Sequence, residues 1–289
     1  AVAAGGTLGI LIPPSAVFII YGIMTQQSIG KLFLAGIFPG ILLTLLFIIS
    51  IYVICQRNPS LGPAGPAVSF KEILMSLTGV GETLVLFFLV MGGLFVGLFS
   101  PTEAGGIGAF GALLLAIIRR QLVWRYFIIA IEQTIRTSCM IFIIVSGAVV
   151  FGRFLAVTRI PFELASWVES LPLPPVLILV IILLIYGIGG LFMDSLAFML
   201  LTVSIFFPVA MKLGYDPIWF GVIIIIMTEV GAITPPVGVN VFVIKGIAQD
   251  VPIEIIFKGI SYFIIAFVLC IIFLILFPQI ALFLPGFMR

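Results

Sequence analysis

The sequence predicts an all-α polytopic membrane protein whose helices are in places discontinuous. Three observations carry that expectation. The 289 residues are 63% hydrophobic and 8% charged, with a mean hydropathy of +1.43, whereas an ordinary soluble domain is about half apolar and a quarter charged. Several apolar runs reach or approach the ~20 residues that cross a hydrocarbon layer about 30 Å thick. Two apolar segments are interrupted by paired prolines, Pro13-Pro14 and Pro235-Pro236, each of which ends a continuous helix.

Composition also excludes function classes. A net charge of +2, with no basic patch interleaved with aromatics, leaves nucleic-acid binding without an electrostatic footprint. The chain has no histidine, which removes Ser-His-Asp triads, Cys-His pairs and His-containing zinc sites. Cys55, Cys139 and Cys270 lie far apart in apolar stretches without CxxC spacing. They read as small membrane-helix residues rather than a disulfide or metal framework.

The chain opens at Ala1 within an apolar, Gly-rich stretch without a charged leader, and is expected to be a fragment of a longer protein. The first break runs Gly5-Gly6-Thr7-Leu8-Gly9-Ile10-Leu11-Ile12-Pro13-Pro14-Ser15. Successive prolines remove two backbone donors, so carbonyls one turn earlier lose their partners. In a bilayer those carbonyls need an ion, water or protein. Gly5, Gly6 and Gly9, like Gly231 and Gly238 beside Pro235-Pro236, are expected to let an unwound backbone take positive φ and approach a ligand. A kinked helix whose freed groups are met by neighbouring helices is the structural alternative.

Spans are expected over 32–56, 83–100, 102–118, 126–152 and 255–285. Between the first two, residues 57–81 carry Pro59, Gly62, Pro63, Gly65 and Pro66 and form a linker that cannot be one helix. Ser100-Pro101-Thr102-Glu103 reads as a helix start: Ser at N-cap, Pro at N1 and Glu at N3 make a capping box. Arg119, Arg120 and Arg125 share one short loop, while Arg57 and Lys71 flank another two spans away, so both loops are assigned to the cytoplasm. Glu132 and Arg136, four residues apart, are expected to pair along one helix face, with Arg136 or Arg153 as the alternative contact for a substrate carboxylate. Arg153, Arg159, Glu163, Trp167 and Glu169 fall on the external side, on an interfacial helix or a plain surface loop.

Residues 176–193 and 195–211 form two apolar arms that meet at Gly187, Gly189, Gly190 and Asp194 without a polar loop. A re-entrant hairpin is expected there, two full spans joined by a tight turn being the alternative. Asp194 either ligates a cation beside Ser195 or caps the second arm. Glu229 precedes the second break and either pairs with Lys245 or lines a water-filled gap.

The second break reads Gly231-Ala232-Ile233-Thr234-Pro235-Pro236-Val237-Gly238-Val239-Asn240 and repeats the first. Each is followed by a short apolar arm, a Gly-Ile pair (Gly22-Ile23, Gly246-Ile247), a polar connector (Thr25-Gln26-Gln27-Ser28, Gln249-Asp250) and a long span. Counting crossings from the arginine loop, span 32–56 and its counterpart 255–285 run in opposite directions. The two copies form an inverted-topology repeat, the arrangement that puts substrate and coupling ion near the membrane midplane. The chain accordingly divides into 1–31, the end of a first transport repeat; 32–81, a scaffold span with its linker; 82–171, connecting helices; 172–254, a second transport repeat; and 255–289, a final span.

On three of these stretches the sequence resembles the large (M, DctM-like) membrane subunit of tripartite ATP-independent periplasmic (TRAP) transporters: Gly6 through Ser15, Ser100-Pro101-Thr102-Glu103-Ala104, and Gly231 through Asn240 with the preceding Leu213-Gly214-Tyr215-Asp216-Pro217-Ile218-Trp219-Phe220-Gly221. The resemblance implies an elevator-type, sodium-driven importer in a bacterial or archaeal cytoplasmic (inner) membrane. It also implies a small Q-type membrane subunit and a periplasmic P-type substrate-binding protein as partners, no cofactor beyond sodium, and an organic acid such as a dicarboxylate, 2-oxo acid or sialic acid as substrate. By the same resemblance one sodium site maps to Gly6, Thr7, Gly9, Pro13 and Ser15, and another to Asp194, Ser195, Gly231, Thr234, Gly238 and Asn240. A first hairpin and further spans are expected before Ala1.

A proton-coupled inverted-repeat carrier of organic anions is the alternative, with Asp194 and Glu229 as its carboxylates. Unwound backbone with hydroxyl and amide oxygens favours a hard cation such as sodium. An enzyme is disfavoured by the missing histidine.

Overall fold

The computed structural model describes residues 1–62, 65, 69, 72, 81–248 and 251–288. Among them there is no strand. The helices run in the order α1 (Val2–Leu11), α2 (Ala16–Thr25), α3 (Ile29–Arg57), α4 (Gly81–Phe95), α5 (Pro101–Ile118), α6 (Trp124–Thr158), α7 (Ile160–Ser170), α8 (Pro175–Gly190), α9 (Ser195–Lys212), α10 (Pro217–Ile233), α11 (Val239–Ile247), α12 (Ile253–Leu276) and α13 (Gln279–Leu282). Val2–Thr25, Ile29–Arg57, Pro101–Ile118, Trp124–Thr158, Ser195–Lys212 and Ile253–Leu276 are long and apolar enough to cross a membrane. The chain is an all-α polytopic membrane protein.

Several boundaries differ from the sequence expectation. The helix expected over 126–152 continues to Thr158, so Arg153 lies in α6, and only 160–170 of the external segment forms the separate helix α7. The last span stops at Leu276 rather than 285, because Pro278 follows and the chain turns into short helical pieces. Of the linker, Pro59–Leu61 form a single 3-10 turn, whereas Pro63, Pro66 and Lys71, like the connector Gln249-Asp250, lie outside the described residues.

The chain folds as two compact units, one of Asn58–Ile143 and one of Ala1–Arg57 with Ile144–Arg289. In the smaller unit α4 packs on α5, and Arg119 Nε meets Glu82 Oε2 at 2.9 Å. The capping box forms as expected: the Ser100 hydroxyl accepts from Glu103 N at 3.3 Å, and Ser100 N donates to Glu103 Oε2 at 2.8 Å. Glu132 and Arg136, both exposed, do not pair. The ion pairs among the described residues are Glu82–Arg119 and Glu169–Lys212. An exposed pair along one helix yields only a few tenths of a kcal/mol against the entropy of fixing two long side chains.

The larger unit is built around α10. Fourteen of its 17 residues are buried, so it has no polar face and belongs at the centre of a bundle rather than at its surface. It packs against α8, α9, α12 and α3. Its N-terminus is held by four hydrogen bonds. Asp216 caps it through Ile218 N and Trp219 N at 2.8 and 3.0 Å. The Tyr21 hydroxyl donates to the Pro217 carbonyl at 2.6 Å, and Trp219 Nε1 donates to the Leu274 carbonyl at 2.9 Å.

The two copies of the repeat are inverted. In α3 and α12, Phe47 stacks edge-on against Phe263 and Phe267, while Cys270 lies against the Pro39 carbonyl. Residue numbers that rise along one helix fall along the other, so the pair is antiparallel. The broken helices follow suit: α2 meets the start of α10 through Tyr21, Pro217 and Gly221, and α1 packs on α11.

The tightest crossing is that of α8 on α10. A Cβ on Gly190 would lie 2.7 Å from the Thr228 carbonyl oxygen, and one on Gly231 would run into the backbone of Gly190. Backbone cannot give way as a flexible side chain can, so both positions require glycine, in the manner of small-residue contacts between membrane helices. Gly190→Ala is expected to destabilise the purified protein by about 1–3 kcal/mol, the usual range for overpacking. Gly105→Ala, where an added Cβ meets nothing within 4 Å, should not lower the thermal midpoint in detergent. Equal midpoints for the two variants would refute the close crossing.

Candidate functional site

The α8–α10 crossing brings the tip of a helical hairpin to the second break. The hairpin is antiparallel: Gly189 lies against Phe198 and Tyr186, earlier in α8, reaches Phe206, later in α9, and its arms are joined by residues 191–194. Asp194 caps α9, its Oδ1 accepting from Leu196 N at 3.0 Å and Ala197 N at 3.3 Å. Capping accounts for the geometry of Asp194, which is exposed, while Ser195 behind it is buried.

Opposite the tip, α10 ends at Ile233 and the chain unwinds over 234–238, with a cis Pro235-Pro236 bond. Pro236 leaves the Ala232 carbonyl without its helical donor, and the Gly231 carbonyl instead accepts from Thr234 N at 3.1 Å. The Thr234 hydroxyl donates to the Val230 carbonyl at 2.5 Å, which uses its proton and leaves oxygen lone pairs. Gly238 holds φ +56 as the residue before α11, and a Cβ there would sit 2.8 Å from the Phe257 ring of α12. Asn240 is half-exposed in the first turn of α11.

Between the two lies Glu229, 1% exposed. Neither of its carboxylate oxygens has a hydrogen-bond partner. It stands beside the Ser195 hydroxyl, short of hydrogen-bonding geometry, and within the field of Asp194. Pairing with Lys245, one of the two readings of Glu229, does not form: neither carboxylate oxygen has a partner, and Lys245 Nζ donates to the Val251 carbonyl at 2.9 Å. A buried, unpaired carboxylate costs several kcal/mol unless a positive charge joins it, which makes Glu229 the strongest electrostatic demand in the site. The sequence carried that signal, an acid two residues before Gly231 in an otherwise apolar run, but spacing alone did not separate it from Asp194.

The first break is built differently from the expectation. α1 remains helical through Leu11, and unwinding is confined to 12–15, with a cis Pro13-Pro14 bond. Gly6 and Gly9 are therefore exposed helical positions. Thr7 is buried within α1, its hydroxyl donating to the Ala4 carbonyl at 2.6 Å. Of the five glycines expected to support positive φ, Gly5, Gly6, Gly9 and Gly231 are helical and only Gly238 has it. The reason is local: a proline cancels the bond to a carbonyl four residues earlier without altering the φ of that residue, so Gly9 loses a partner but not its helical conformation. Pro13 and Ser15 do lie at the break, both buried. Ser15 caps α2, accepting from Phe18 N at 3.4 Å. The break lies against α3, where a Cβ on Gly36 would meet the Phe18 ring at 2.8 Å and one on Gly40 would meet Ile12 at 2.6 Å.

The structure thus gathers Asp194, Ser195, Gly231 and Glu229 around the second break, with Thr234 and Gly238 in it. These groups offer carboxylate, hydroxyl and carbonyl oxygens, a donor set that fits a hard cation. Among the described residues no group of three His, Cys, Asp or Glu forms a transition-metal centre.

Residues 1–280 match the family described as Tripartite ATP-independent periplasmic transporter, DctM component. The chain is 38% identical over 243 residues to the C4-dicarboxylate TRAP transporter large permease protein DctM of Pseudomonas aeruginosa, covering 84% of this chain and 56% of that protein. It is 33% identical over 284 residues to the sialic acid TRAP transporter large permease protein SiaM of Vibrio cholerae, covering 98% of this chain and 66% of that protein. It is 31% identical over 282 residues to the ectoine/5-hydroxyectoine large permease protein UehC of Ruegeria pomeroyi, covering 96% and 64%. The chain spans less than two thirds of the length of these relatives, which are permeases and not enzymes.

The cap at Asp194 is separable from any ion role. Asp194→Ala should cost about 1 kcal/mol of stability, as loss of an N-cap does, while Asp194→Asn retains the acceptor and the stability. Unfolding midpoints of the two variants in detergent check this, and a stable Ala variant would remove the cap from the account.

Proposed function

The chain belongs to the DctM-component family of tripartite ATP-independent periplasmic transporters, and from that membership we propose that it forms the ion-coupled part of a large permease subunit. The complete protein takes up an organic acid of the dicarboxylate, 2-oxo acid or sialic acid type across a bacterial or archaeal inner membrane. A periplasmic P-type binding protein delivers the substrate, and a small Q-type subunit completes the membrane complex. Sodium is the coupling ion and supplies the driving force of its gradient. Residues 172–254 carry one transport repeat, 1–31 the end of the other, and 32–81 and 255–289 the scaffold spans. The hairpin of α8 and α9 is re-entrant and moves with the broken helices in an elevator step.

The single observation that supports this reading most is the carboxylate of Glu229, buried without a partner where the hairpin tip meets the second break. Glu229 and Ser195 hold the cation, with backbone carbonyls and the oxygens of Thr234 and Asn240 completing the set; Asp194 fixes the hairpin tip and contributes its charge. At the first break the carbonyls freed by Pro13 and Pro14, with Ser15 and Thr7, form the counterpart. Hairpin and break present their donors from separate helices, so the site is complete only when they meet, which is how binding an ion selects one arrangement of the two.

Glu229 also favours a second reading, a carrier in which that carboxyl takes a proton instead of sodium. Uptake by the complete system in proteoliposomes separates the two. Under sodium coupling, replacing sodium by potassium abolishes uptake; Glu229→Gln weakens the sodium-dependent rise in thermal midpoint by about tenfold in sodium concentration or more, the loss of about 1.4 kcal/mol of binding; and Thr234→Ala and Asn240→Ala reduce it less. Uptake unchanged in potassium but abolished by a protonophore would replace sodium by a proton.

A further inference from the structure

A cavity of about 410 Å³ lies at the other end of α9, away from the hairpin tip. It is formed where the end of α6, the turn at Arg159 and the first turns of α7 face α9. Its walls are apolar, with Leu155, Phe162 and Pro208 among them, and its polar groups are Arg159, Lys212 and the Ser204 hydroxyl. Both cations are drawn to one ring: Arg159 Cζ lies 5.4 Å and Lys212 Nζ 4.8 Å from the centre of Phe162. Lys212 is further held by the Ser166 hydroxyl at 2.8 Å and by Glu169 at 3.3 Å. Arg159 makes no ion pair among the described residues, and Glu163, one turn along α7, does not reach it. The cleft therefore keeps one positive charge beyond those its own acid balances.

The surroundings say what carries the complementary charge. Phe154, Val157 and Ile160 next to the cleft are 56%, 84% and 45% exposed, and Trp167 on α7 is 60% exposed. Apolar side chains so exposed at the end of a membrane-crossing helix face acyl chains, while tryptophan and long cationic side chains mark headgroup level. A cleft that opens there, with apolar walls below and cations at its rim, suits an amphiphile rather than a soluble anion. We propose that it binds an anionic phospholipid, the phosphate lying between Arg159 and Lys212 and an acyl chain running down the wall of Leu155 and Pro208. The phosphodiester carries one negative charge, equal to the cleft's surplus. Bound lipid then ties α7 to α9, the second arm of the hairpin, at the end opposite the ion site.

The test is thermal unfolding of the complete protein in detergent with added phosphatidylglycerol, phosphatidylcholine or inorganic phosphate, in the absence of substrate and at fixed sodium. Phosphatidylglycerol should raise the midpoint by several degrees through preferential binding to the folded state, and phosphatidylcholine and phosphate should not. Arg159→Gln, which breaks no ion pair, should shift the phosphatidylglycerol titration at least tenfold to higher concentration, and Arg159→Gln with Lys212→Gln should abolish the response. An equal response to phosphatidylcholine, a response to phosphate alone, or an unchanged titration in Arg159→Gln would each overturn the proposal. None of these outcomes depends on whether sodium or a proton drives transport.

Discussion

The close approach of Gly190 to Gly231 is the constraint on which the rest of this structure depends. In a bilayer the solvent is as apolar as a leucine side chain, so helices gain little by burying apolar surface and associate through close packing and hydrogen bonds. Where two backbones touch, those contributions are largest and orientation is most tightly defined. That contact seats α8 on α10 and sets the hairpin turn beside the second break. It also places Ser195 next to Glu229. Neither element alone has a site: α10 carries a lone acid, and the hairpin carries a capped turn.

The central position of α10 follows from the same physics. A helix with no polar face has no preference for any surface, so neighbours on every side suit it, and α3, α8, α9 and α12 supply them. The polar groups that remain are at its ends. Asp216, Tyr21 and Trp219 hold the beginning, and the break ends it. Glu229 is the exception, an acid in the last turns that the surrounding helices enclose without satisfying. Fold energetics are served by any apolar residue there, which is why an acid at that position supports the proposed coupling role.

The two halves share a plan but not all of its details. Both have a Pro-Pro break, a short helix and a long helix, and the long helices α3 and α12 pack antiparallel through Phe47, Phe263 and Phe267. The first break lies against α3 through Gly36 and Gly40, whereas the second touches α12 through Gly238 and the hairpin through Gly231. Ser15 and Asp194 play the same local part, capping the helix that follows. An acid buried like Glu229 occurs only in the second copy among the described residues.

Much of this architecture was legible in the sequence because it rests on local chemistry. Apolar runs, paired prolines and the Ser100–Glu103 capping box each act within a few residues, and each has one dominant physical meaning. The repeated motif also carried the inversion, since crossings can be counted without coordinates. What tertiary structure alone decided was which of several equivalent residues matters. Gly5, Gly6, Gly9 and Gly231 look alike as letters; helix continuity held the first three in exposed helical positions, and a neighbouring backbone turned the fourth into a contact. Asp194 and Glu229 are both acids near apolar arms; one had donors at a helix start and became a cap, and the other was enclosed without any. Sequence determines what a residue can offer, and burial and neighbours determine what is asked of it.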